Sequence, residues 1–261
     1  MQSLNEIIQQ EMPMSLPSSA AQQSPLLLSL GWVRHGFLPA GQRPPDNTAY
    51  ALQRHTDTVC PADSNFPPKQ SVADALFSHH GQPVAIYTAD CLPVLIASEK
   101  THQVAAAHAG LKGTLAGILQ QTLSRFFAEG SAASDLYIAI GPAIGPCCYE
   151  LGLPLFEEIK ACRYVRDPIP GAFHPAVNPL ARRPTAPVTQ PAFWLDLPAL
   201  ATQMLLQEGV AASRIDNLNQ CTYCMAEPGA SYRRNTHTDE GYQLRFSWIA
   251  SEHSVPLPGA D

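Results

Sequence analysis

The most informative stretch for the fold begins Thr88-Ala89-Asp90-Cys91-Leu92-Pro93, continues through an apolar run, and ends His108-Ala109-Gly110-Leu111-Lys112-Gly113. A cysteine and a histidine each lie at the end of a segment with the apolar character of a buried strand. Functional side chains are common where a rigid strand runs into a loop. Cys91 and His108 are therefore the first candidates for a functional centre.

The segments around these two residues predict strands at Val84–Thr88, Leu92–Ala97, Gln103–Ala107 and Leu136–Ile140. Because these strands are apolar almost throughout, both faces of their sheet should be covered. Leu111–Ala128 carries apolar residues at the i, i+4, i+7 and i+8 positions and predicts one continuous amphipathic helix.

The outer parts of the chain carry weaker signals. Prolines recur every few residues in 167–191 and predict a long loop without regular structure. Residues 1–26 are polar and predict a flexible arm, and the rest, 27–261, shows no linker and predicts a single catalytic domain. Other predicted elements are strands at Leu26–Leu30, Trp32–Phe37 and Tyr242–Ile249, and helices at Leu155–Cys162 and Leu197–Gln207.

Composition excludes several classes of protein. The 261 residues include 16 Lys and Arg and carry a net charge of −6, which does not suit a nucleic-acid-binding protein. No apolar run is long enough for a transmembrane helix, so we expect no membrane partner. The first residues lack the basic and apolar regions of a secretory signal, and the chain is predicted to be cytoplasmic.

Cys91 and His108 are both residue types that bind zinc, and a catalytic zinc site commonly has three protein ligands and one open position. Spacing alone leaves other interpretations open. A buried cysteine can be a small apolar core residue, or Cys91 can be a nucleophile activated by His108. In an extended segment Asp90 points away from Cys91, so it either holds the turn or contacts substrate.

The remaining cysteines give no clear site. Cys221 and Cys224 have the spacing of a zinc knuckle or a redox pair, but a structural zinc site needs two more ligands and no second pair has this spacing. Cys147 and Cys148 are adjacent, which favours neither chelation nor a disulfide. We therefore interpret all four as ordinary cysteines.

Lys112 lies at the predicted start of a helix, where free N–H groups attract anions. It either adds charge to a phosphate or carboxylate site or faces solvent. The chain contains no phosphate-binding loop of the Walker type and no dinucleotide fingerprint.

The motifs quoted at the outset, together with Ile140-Gly141-Pro142-Ala143-Ile144-Gly145, occur in an order that resembles the YfiH-type family. Supporting motifs are Asp74-Ala75-Leu76, Cys221-Thr222 and Ser231-Tyr232-Arg233-Arg234. This family has long been called multicopper polyphenol oxidase or laccase-domain proteins and is now associated with purine nucleoside phosphorylase activity. The resemblance covers roughly residues 32–250.

The resemblance implies that His55, in the Gln53-Arg54-His55 segment, joins Cys91 and His108 as metal ligands and catalytic residues. The implied metal is zinc, with copper possible because the ligand types suit either ion. The implied fold is mixed α/β (α+β), a four-layer α/β/β/α sandwich with two mixed β-sheets. Two departures lie near the expected substrate region: Leu111-Lys112 stands where the family has Trp-Arg, and Thr56 where it has Gly.

The resulting hypothesis is a metal-dependent purine nucleoside enzyme with a purine nucleoside and phosphate as small-molecule substrates. The implied reactions are phosphorolysis of adenosine, inosine, guanosine and methylthioadenosine, and deamination of adenosine. One alternative is a copper-dependent polyphenol oxidase, although a laccase needs more histidine ligands and none of the nine histidines forms a His-x-His pair. The others are a metal-independent cysteine hydrolase acting on a cell-wall peptide or amide, and a metal that only holds the fold.

Overall fold

The computed structural model describes residues 20–79, 81–174 and 192–252, which form a mixed α/β fold with three β-sheets. The strands are β1 (Val33–Phe37), β2 (Val59–Ala62), β3 (Ala75–Ser78), β4 (Val84–Thr88), β5 (Leu92–Ser98), β6 (Val104–Ala109), β7 (Leu136–Ile140), β8 (Glu150–Leu151), β9 (Gly171–His174), β10 (Ala192–Leu195), β11 (Ile215–Asn217) and β12 (Arg245–Ser251). The helices are α1 (Pro25–Leu28), α2 (Leu111–Ala116), α3 (Ile118–Ala128), α4 (Leu153–Ala161), α5 (Leu197–Gln207) and α6 (Tyr232–Thr238).

The largest sheet has six strands in the order β11-β7-β5-β6-β3-β2. It is mixed, because β11 runs parallel to β7 and β2 parallel to β3, whereas the other neighbours are antiparallel. The central pair, β5 and β6, is fully buried. Its register sets Leu92 opposite Ala109 and Pro93 opposite His108, so the start of β5 and the end of β6 lie side by side.

Side chains of β5 alternate between two cores, as the two-residue period of a strand requires. Val94 and Ile96 pack with residues of α3 and α5 on one face of the large sheet. Leu95 and Ala97 pack on the other face with residues of the sheet β1-β12-β4. The prediction that both faces of these apolar strands are covered is confirmed.

The resemblance implied two mixed sheets, and this count is wrong for the described residues. They form three sheets, and only the six-stranded one is mixed. In the sheets β1-β12-β4 and β8-β10-β9 every pair of neighbours is antiparallel. The mixed α/β class is confirmed, and the four-layer order stays a prediction.

The helix predicted for Leu111–Ala128 is two helices, α2 and α3, which meet at Gly117. Gly117 has φ of +104°, a conformation that glycine adopts at little cost and that ends a helix. Apolar periodicity alone cannot reveal such a break, because both helices direct apolar residues to the same core.

The N-terminal prediction needs two corrections. The expected strand Leu26–Leu30 is replaced by helix α1, because Ser24 caps the N–H of Leu27 and proline occupies the first helical position. Residues 20–26 are also not an arm, since Gln22 exchanges two backbone hydrogen bonds with Phe37. The first 19 residues lie outside the described part of the chain, so the flexible arm is a prediction for them alone.

The proline-rich segment 167–191 was predicted to lack regular structure, but strand β9 lies within it and pairs with β10. Residues 175–191 are outside the described part. By contrast, β4, β7 and α5 coincide with their predicted ranges. None of the helices in the described part of the chain combines the length and apolar character needed to cross a bilayer.

Replacing Gly117 by alanine should destabilise the fold more than replacing Gly130, although both residues have positive φ. A Cβ at Gly117 would lie 2.7 Å from the Tyr164 ring, whereas one at Gly130 would meet no atom within 4 Å. We expect Gly130→Ala to cost about 1 kcal/mol and Gly117→Ala to cost roughly 2 kcal/mol or more. Urea unfolding of both variants measures this, and equal losses would contradict it.

His35 should make the fold sensitive to acid. Its side chain is buried, and its Nε2 accepts a hydrogen bond from the backbone N–H of Ser24 at 2.8 Å. Burial lowers the pKa of His35 to about 4, against a smaller opposing effect of Asp216. Between about pH 6.5 and 4 the unfolded chain therefore binds more protons than the folded chain, and the free energy of unfolding decreases as the pH falls.

We expect His35 to account for up to roughly 3 kcal/mol of this acid destabilisation. The measurement is urea unfolding at pH 7 and pH 4.5 for the wild type and for His35→Gln, whose amide oxygen can still accept from Ser24. The variant should lose less stability over this interval than the wild type. An identical loss in both proteins would exclude His35 as the source.

Candidate functional site

His55, Cys91 and His108 come together at one end of the large sheet. Their ligand atoms all lie within 4.8 Å of one another. The Nε2 of His55 is 3.5 Å from the Sγ of Cys91, and the two imidazole rings have centroids 4.7 Å apart. Residues separated by 36 and 53 positions in sequence thus form one cluster, which we call the His55 cluster.

The β5–β6 register explains the position of two members. His108 is the penultimate residue of β6 and Cys91 immediately precedes β5, so antiparallel pairing of Pro93 with His108 places both at the same end of the sheet. Residues 88–113 therefore form a strand pair in which Cys91 and His108, near opposite ends of the stretch in sequence, lie at the same end of the sheet.

Asp74 orients the imidazole of His108. Its Oδ1 is 2.8 Å from the Nδ1 of His108, and both side chains are buried. A carboxylate accepting from Nδ1–H leaves the lone pair of Nε2 for a metal or for Cys91, as in many carboxylate–histidine–metal sites. The sequence indicates Asp74 only as part of a family motif and does not predict its contact with His108. The available sequence signal for a functional residue is a single carboxylate directly before an apolar strand.

Asp74 also holds the loop that carries His55. Its carboxylate accepts backbone N–H groups of Arg54, His55 and Thr56 at 2.7–3.1 Å, and the Thr56 hydroxyl at 2.7 Å. His55 has φ of +60°, which is unusual for a residue with a side chain. Convergent hydrogen bonds on one buried carboxylate stabilise that conformation. Thr56, a departure from the family pattern, contributes two of them, and the one from its hydroxyl depends on the threonine side chain.

Gln53 fixes the other side of the same loop. Its amide nitrogen donates to the carbonyl of Tyr87 at 2.7 Å, and its amide oxygen accepts from the N–H of Tyr87 at 2.8 Å. The Gln53 side chain thereby makes with Tyr87 the two hydrogen bonds that a neighbouring strand would make with β4. This pairing gives a physical reason for a glutamine two residues before the histidine.

The electrostatics of the cluster favour a thiolate. Burial raises the pKa of Cys91, but hydrogen bonds with His108 and His55 outweigh burial and lower it to about 7. Burial likewise lowers the pKa of His108, but hydrogen bonds with Asp74 and Cys91 raise it to about 9. Each of the two groups thereby favours the charged form of the other.

The donor set suits a transition-metal ion. Two imidazole nitrogens and one thiolate within 4.8 Å of one another match the three-ligand composition of catalytic zinc sites. The nitrogen and sulfur donors suit copper as well, so ligand type does not select the ion. The Asp74 contact supplies the outer hydrogen bond that metal-binding histidines usually make.

Asp90 holds the Cys91 turn, one of the two functions predicted for it, but the backbone there is not extended, because Asp90 has φ of +85°. Its carboxylate accepts the hydroxyls of Thr222 and Ser231 at 2.6 and 2.9 Å, and the N–H of Arg233 at 2.6 Å. Burial raises the pKa of Asp90, although these three hydrogen bonds oppose the rise. Asp90 therefore connects the Cys91 turn to the segment that begins α6.

A cavity of about 160 Å³ opens beside Cys91. A larger depression of about 560 Å³ around Arg43 and Phe66 includes no member of the His55 cluster, so the smaller cavity is the better candidate for a substrate site. The smaller cavity is lined by Ala89, Asp90, Cys91, Leu111, Ile144, Tyr149, Leu197, Tyr232 and Arg233.

The basic residue that lines this cavity is Arg233, which the sequence indicates only as part of a family motif and not as a site residue. Its guanidinium donates to the carbonyl of Glu150 at 3.0 Å and lies 5.4 Å from the centre of the Tyr149 ring. Lys112, the predicted substrate-binding residue, is exposed at the second position of α2 and does not line the cavity. Its neighbour Leu111 does line it, and substrate binding by Lys112 stays a prediction.

The four cysteines interpreted as ordinary residues form a second cluster. The sulfur atoms of Cys147, Cys148, Cys221 and Cys224 all lie within 4.8 Å of one another. Their spacing along the chain does not indicate this cluster, because the fold brings two distant pairs together. An isolated bridge between Ala143 and Cys221 draws the two segments side by side.

Residues 34–250 match the family described as multi-copper polyphenol oxidoreductase laccase. A purine nucleoside phosphorylase of Synechocystis sp. is 36% identical over 197 residues, which are 72% of this chain and 70% of that protein. The purine nucleoside phosphorylase YfiH of Escherichia coli is 34% identical over 68% of this chain and 64% of its own length.

A crystal structure of YlmD from Geobacillus stearothermophilus superimposes with a TM-score of 0.72, covering 89% of this chain and 99% of that one, at 21% identity. This similarity shows a common fold. The family match covers most of the chain, and the motifs quoted from the sequence lie inside it. The chain therefore belongs to the YfiH-type family, the family described as multi-copper polyphenol oxidoreductase laccase.

Proposed function

We propose that this protein is a metal-dependent enzyme that cleaves purine nucleosides with phosphate, at the site formed by the His55 cluster and the adjoining cavity. The observation that carries the proposal is the convergence of two imidazoles and one thiolate beside a cavity with aromatic and cationic walls. Relatives of this chain bear the name purine nucleoside phosphorylase, which supports the reaction class. The substrates proposed are adenosine, inosine, guanosine and methylthioadenosine.

The cavity has different side chains for the two substrates, the purine nucleoside and phosphate. Apolar and aromatic side chains, among them Leu111, Ile144 and Tyr149, suit the faces of a purine. The guanidinium of Arg233 suits phosphate, which it can bind through two parallel hydrogen bonds. Lys112, which is exposed and follows the cavity residue Leu111 in sequence, would add positive charge for the same anion.

In the proposed reaction a phosphate oxygen bonds to the anomeric carbon while the glycosidic C–N bond breaks, and the purine leaves with the bonding electrons and takes up a proton. His55, Cys91 and His108 would hold the metal, which supplies Lewis acidity or an activated water when bound. Asp74 keeps His108 in the tautomer that presents Nε2, and it holds the His55 loop.

Deamination of adenosine belongs to the same proposal. The specific observation in its favour is the mixed imidazole and thiolate donor set, which zinc deaminases also use to activate water for attack on a base. In that reaction water adds to the purine ring and ammonia leaves. The two activities differ in whether they need phosphate, so one assay distinguishes them.

A metal-independent cysteine hydrolase is a second candidate, and one observation favours it. Cys91, His108 and Asp74 form a thiol–imidazole–carboxylate series with the geometry of a nucleophile, a base and an orienting acid. The contact of His55 with the same sulfur favours a metal instead. Activity that survives chelation and is lost on thiol alkylation would support the hydrolase.

The copper oxidase alternative receives less support from the ligands. In the described part of the chain, the two groups of three or more potential metal ligands are the His55 cluster, with two histidines, and the four cysteines. A multicopper centre needs more imidazoles than these residues supply. Oxygen uptake on a phenol by copper-loaded protein would revive it.

The metal-loaded protein should convert adenosine and phosphate into adenine and ribose 1-phosphate, measured by chromatography. We expect His108→Ala to lower kcat/KM by at least about 100-fold, because even changes in the outer shell of a metal site cost 10- to 100-fold. His102→Ala, which removes an imidazole in tilted contact with the Trp32 ring and outside the His55 cluster, should retain activity. Omitting phosphate should abolish adenine formation and leave any inosine formation unchanged.

Two results would contradict the proposed function. One is the absence of both adenine and inosine with the metal-loaded wild type. The other is equal product formation by wild type and His108→Ala, since the reaction would then not depend on the His55 cluster.

Gly110→Ala should weaken metal binding without unfolding the chain. Gly110 has φ of −61° and ψ of 156°, which any residue adopts, but a Cβ there would lie 2.7 Å from the Cys91 Sγ and 2.8 Å from the His55 ring. We expect a loss of roughly 10- to 100-fold in zinc affinity, measured by competition with a chromophoric chelator.

Gly152→Ala is the matched control for this prediction. Gly152 also precedes a helix, with φ of −75° and ψ of 158°, and a Cβ there would meet only Pro154, at 3.6 Å. Its zinc affinity should equal that of the wild type. Wild-type affinity in Gly110→Ala as well would show that the metal is not held by Cys91 and His55.

A further inference from the structure

The four cysteines are close enough to bind one ion. The Sγ of Cys224 is 3.7 Å from that of Cys147 and 3.4 Å from that of Cys148, and all four sulfur atoms are within 4.8 Å of one another. A tetrahedral zinc ion with bonds of about 2.3 Å to sulfur requires its ligands to be about 3.8 Å apart. The observed separations are close to this value and far above the 2.05 Å of a disulfide bond.

The backbone around the cluster also suits metal-bound thiolates. The N–H of Gly145 donates to the Sγ of Cys221 at 3.2 Å, a contact of the kind that stabilises charge on a ligating sulfur. Cys221 caps a single 3-10 turn and Cys224 is the last residue of that turn, which brings both sulfur atoms together as in a zinc knuckle. A Cβ at Gly145 would lie 3.3 Å from that of Cys221, so glycine permits the close approach.

We propose that Cys147, Cys148, Cys221 and Cys224 form a second metal site, which binds one zinc ion through four thiolates. Tetrahedral sites with four sulfur ligands are typical of zinc or of iron–sulfur centres. Four protein ligands complete the coordination of zinc, so this site is structural and not catalytic. It is separate from the His55 cluster and shares no ligand with it.

The proposed site connects the two segments that form one wall of the cavity. Ile144 and Tyr149 flank Cys147 and Cys148 in one segment, and the other continues from Cys224 to Arg233. Two backbone hydrogen bonds already join the segments, from Ala143 to Gln220 and from Thr222 to Ala143. An ion held by both segments would stabilise this wall in the geometry that Asp90 also supports.

The test is the zinc content of the full chain purified from zinc-supplemented cells. We expect about two zinc ions per chain in the wild type, one for each cluster of ligands. Cys224→Ser and Cys91→Ser should each lose about one ion, and Cys60→Ser, which changes a cysteine outside both clusters, should lose none. Cys224 is exposed, so the substitution removes a ligand and little buried surface.

Cobalt substitution separates the two sites and does not depend on activity. The wild type should show the intense visible absorption of tetrahedral cobalt bound by four thiolates, and Cys91→Ser should retain it. Cys224→Ser and Cys147→Ser should lose it. Failure of the His55 cluster to bind metal would remove only the signal that depends on Cys91, so the two proposals fail separately.

X-ray absorption of the zinc-loaded Cys91→Ser variant keeps the proposal testable if Cys224→Ser folds poorly. We expect four sulfur neighbours at about 2.3 Å. The proposal is overturned if Cys224→Ser folds and keeps the wild-type zinc content, or if the absorption spectrum shows nitrogen or oxygen ligands. A disulfide between Cys224 and either Cys147 or Cys148 in the purified protein would also overturn it.

Discussion

The carboxylate of Asp74 is the interaction on which the candidate site depends. It is completely buried, and it accepts hydrogen bonds from three successive backbone N–H groups, one hydroxyl and one imidazole. The donors come from the His55 loop and from β6. Hydrogen bonds of this number to the charged form hold the pKa of Asp74 well below its usual range despite burial. One anion thereby positions both histidines.

Asp90 has a corresponding function on the other side of Cys91. Asp74 connects the cluster to the His55 loop, and Asp90 connects the Cys91 turn to Thr222, Ser231 and the start of α6. His55 and Asp90 both have positive φ, an uncommon conformation for residues with side chains. Strain of this kind persists only where surrounding contacts fix the backbone, and here hydrogen bonds on two buried carboxylates do so.

The residues of the His55 cluster are distinct from the residues that form the apolar cores. β5 and β6 lie at the centre of the large sheet with apolar cores on both faces, so the strand ends that carry Cys91 and His108 have little freedom to move. The cavity walls come from loops and helix starts that are held by side-chain hydrogen bonds. In the proposed second site, a metal held by four cysteines would strengthen the wall that Ile144, Tyr149 and Arg233 line.

Elements with a local signal could be predicted from the residues alone. Apolar runs predicted the ranges of β4 and β7 and, to within one residue, of β5, and apolar periodicity predicted the range of α5, because burial of side chains repeats with the period of the backbone. The order of motifs likewise indicated the family and predicted that His55, Cys91 and His108 come together, as they do. The contacts of Asp74 with both histidine segments, the position of Arg233 at the cavity and the meeting of four cysteines became visible only in the folded chain. These contacts depend on strand register and on long-range backbone pairing, which leave no periodic trace in the residues they join.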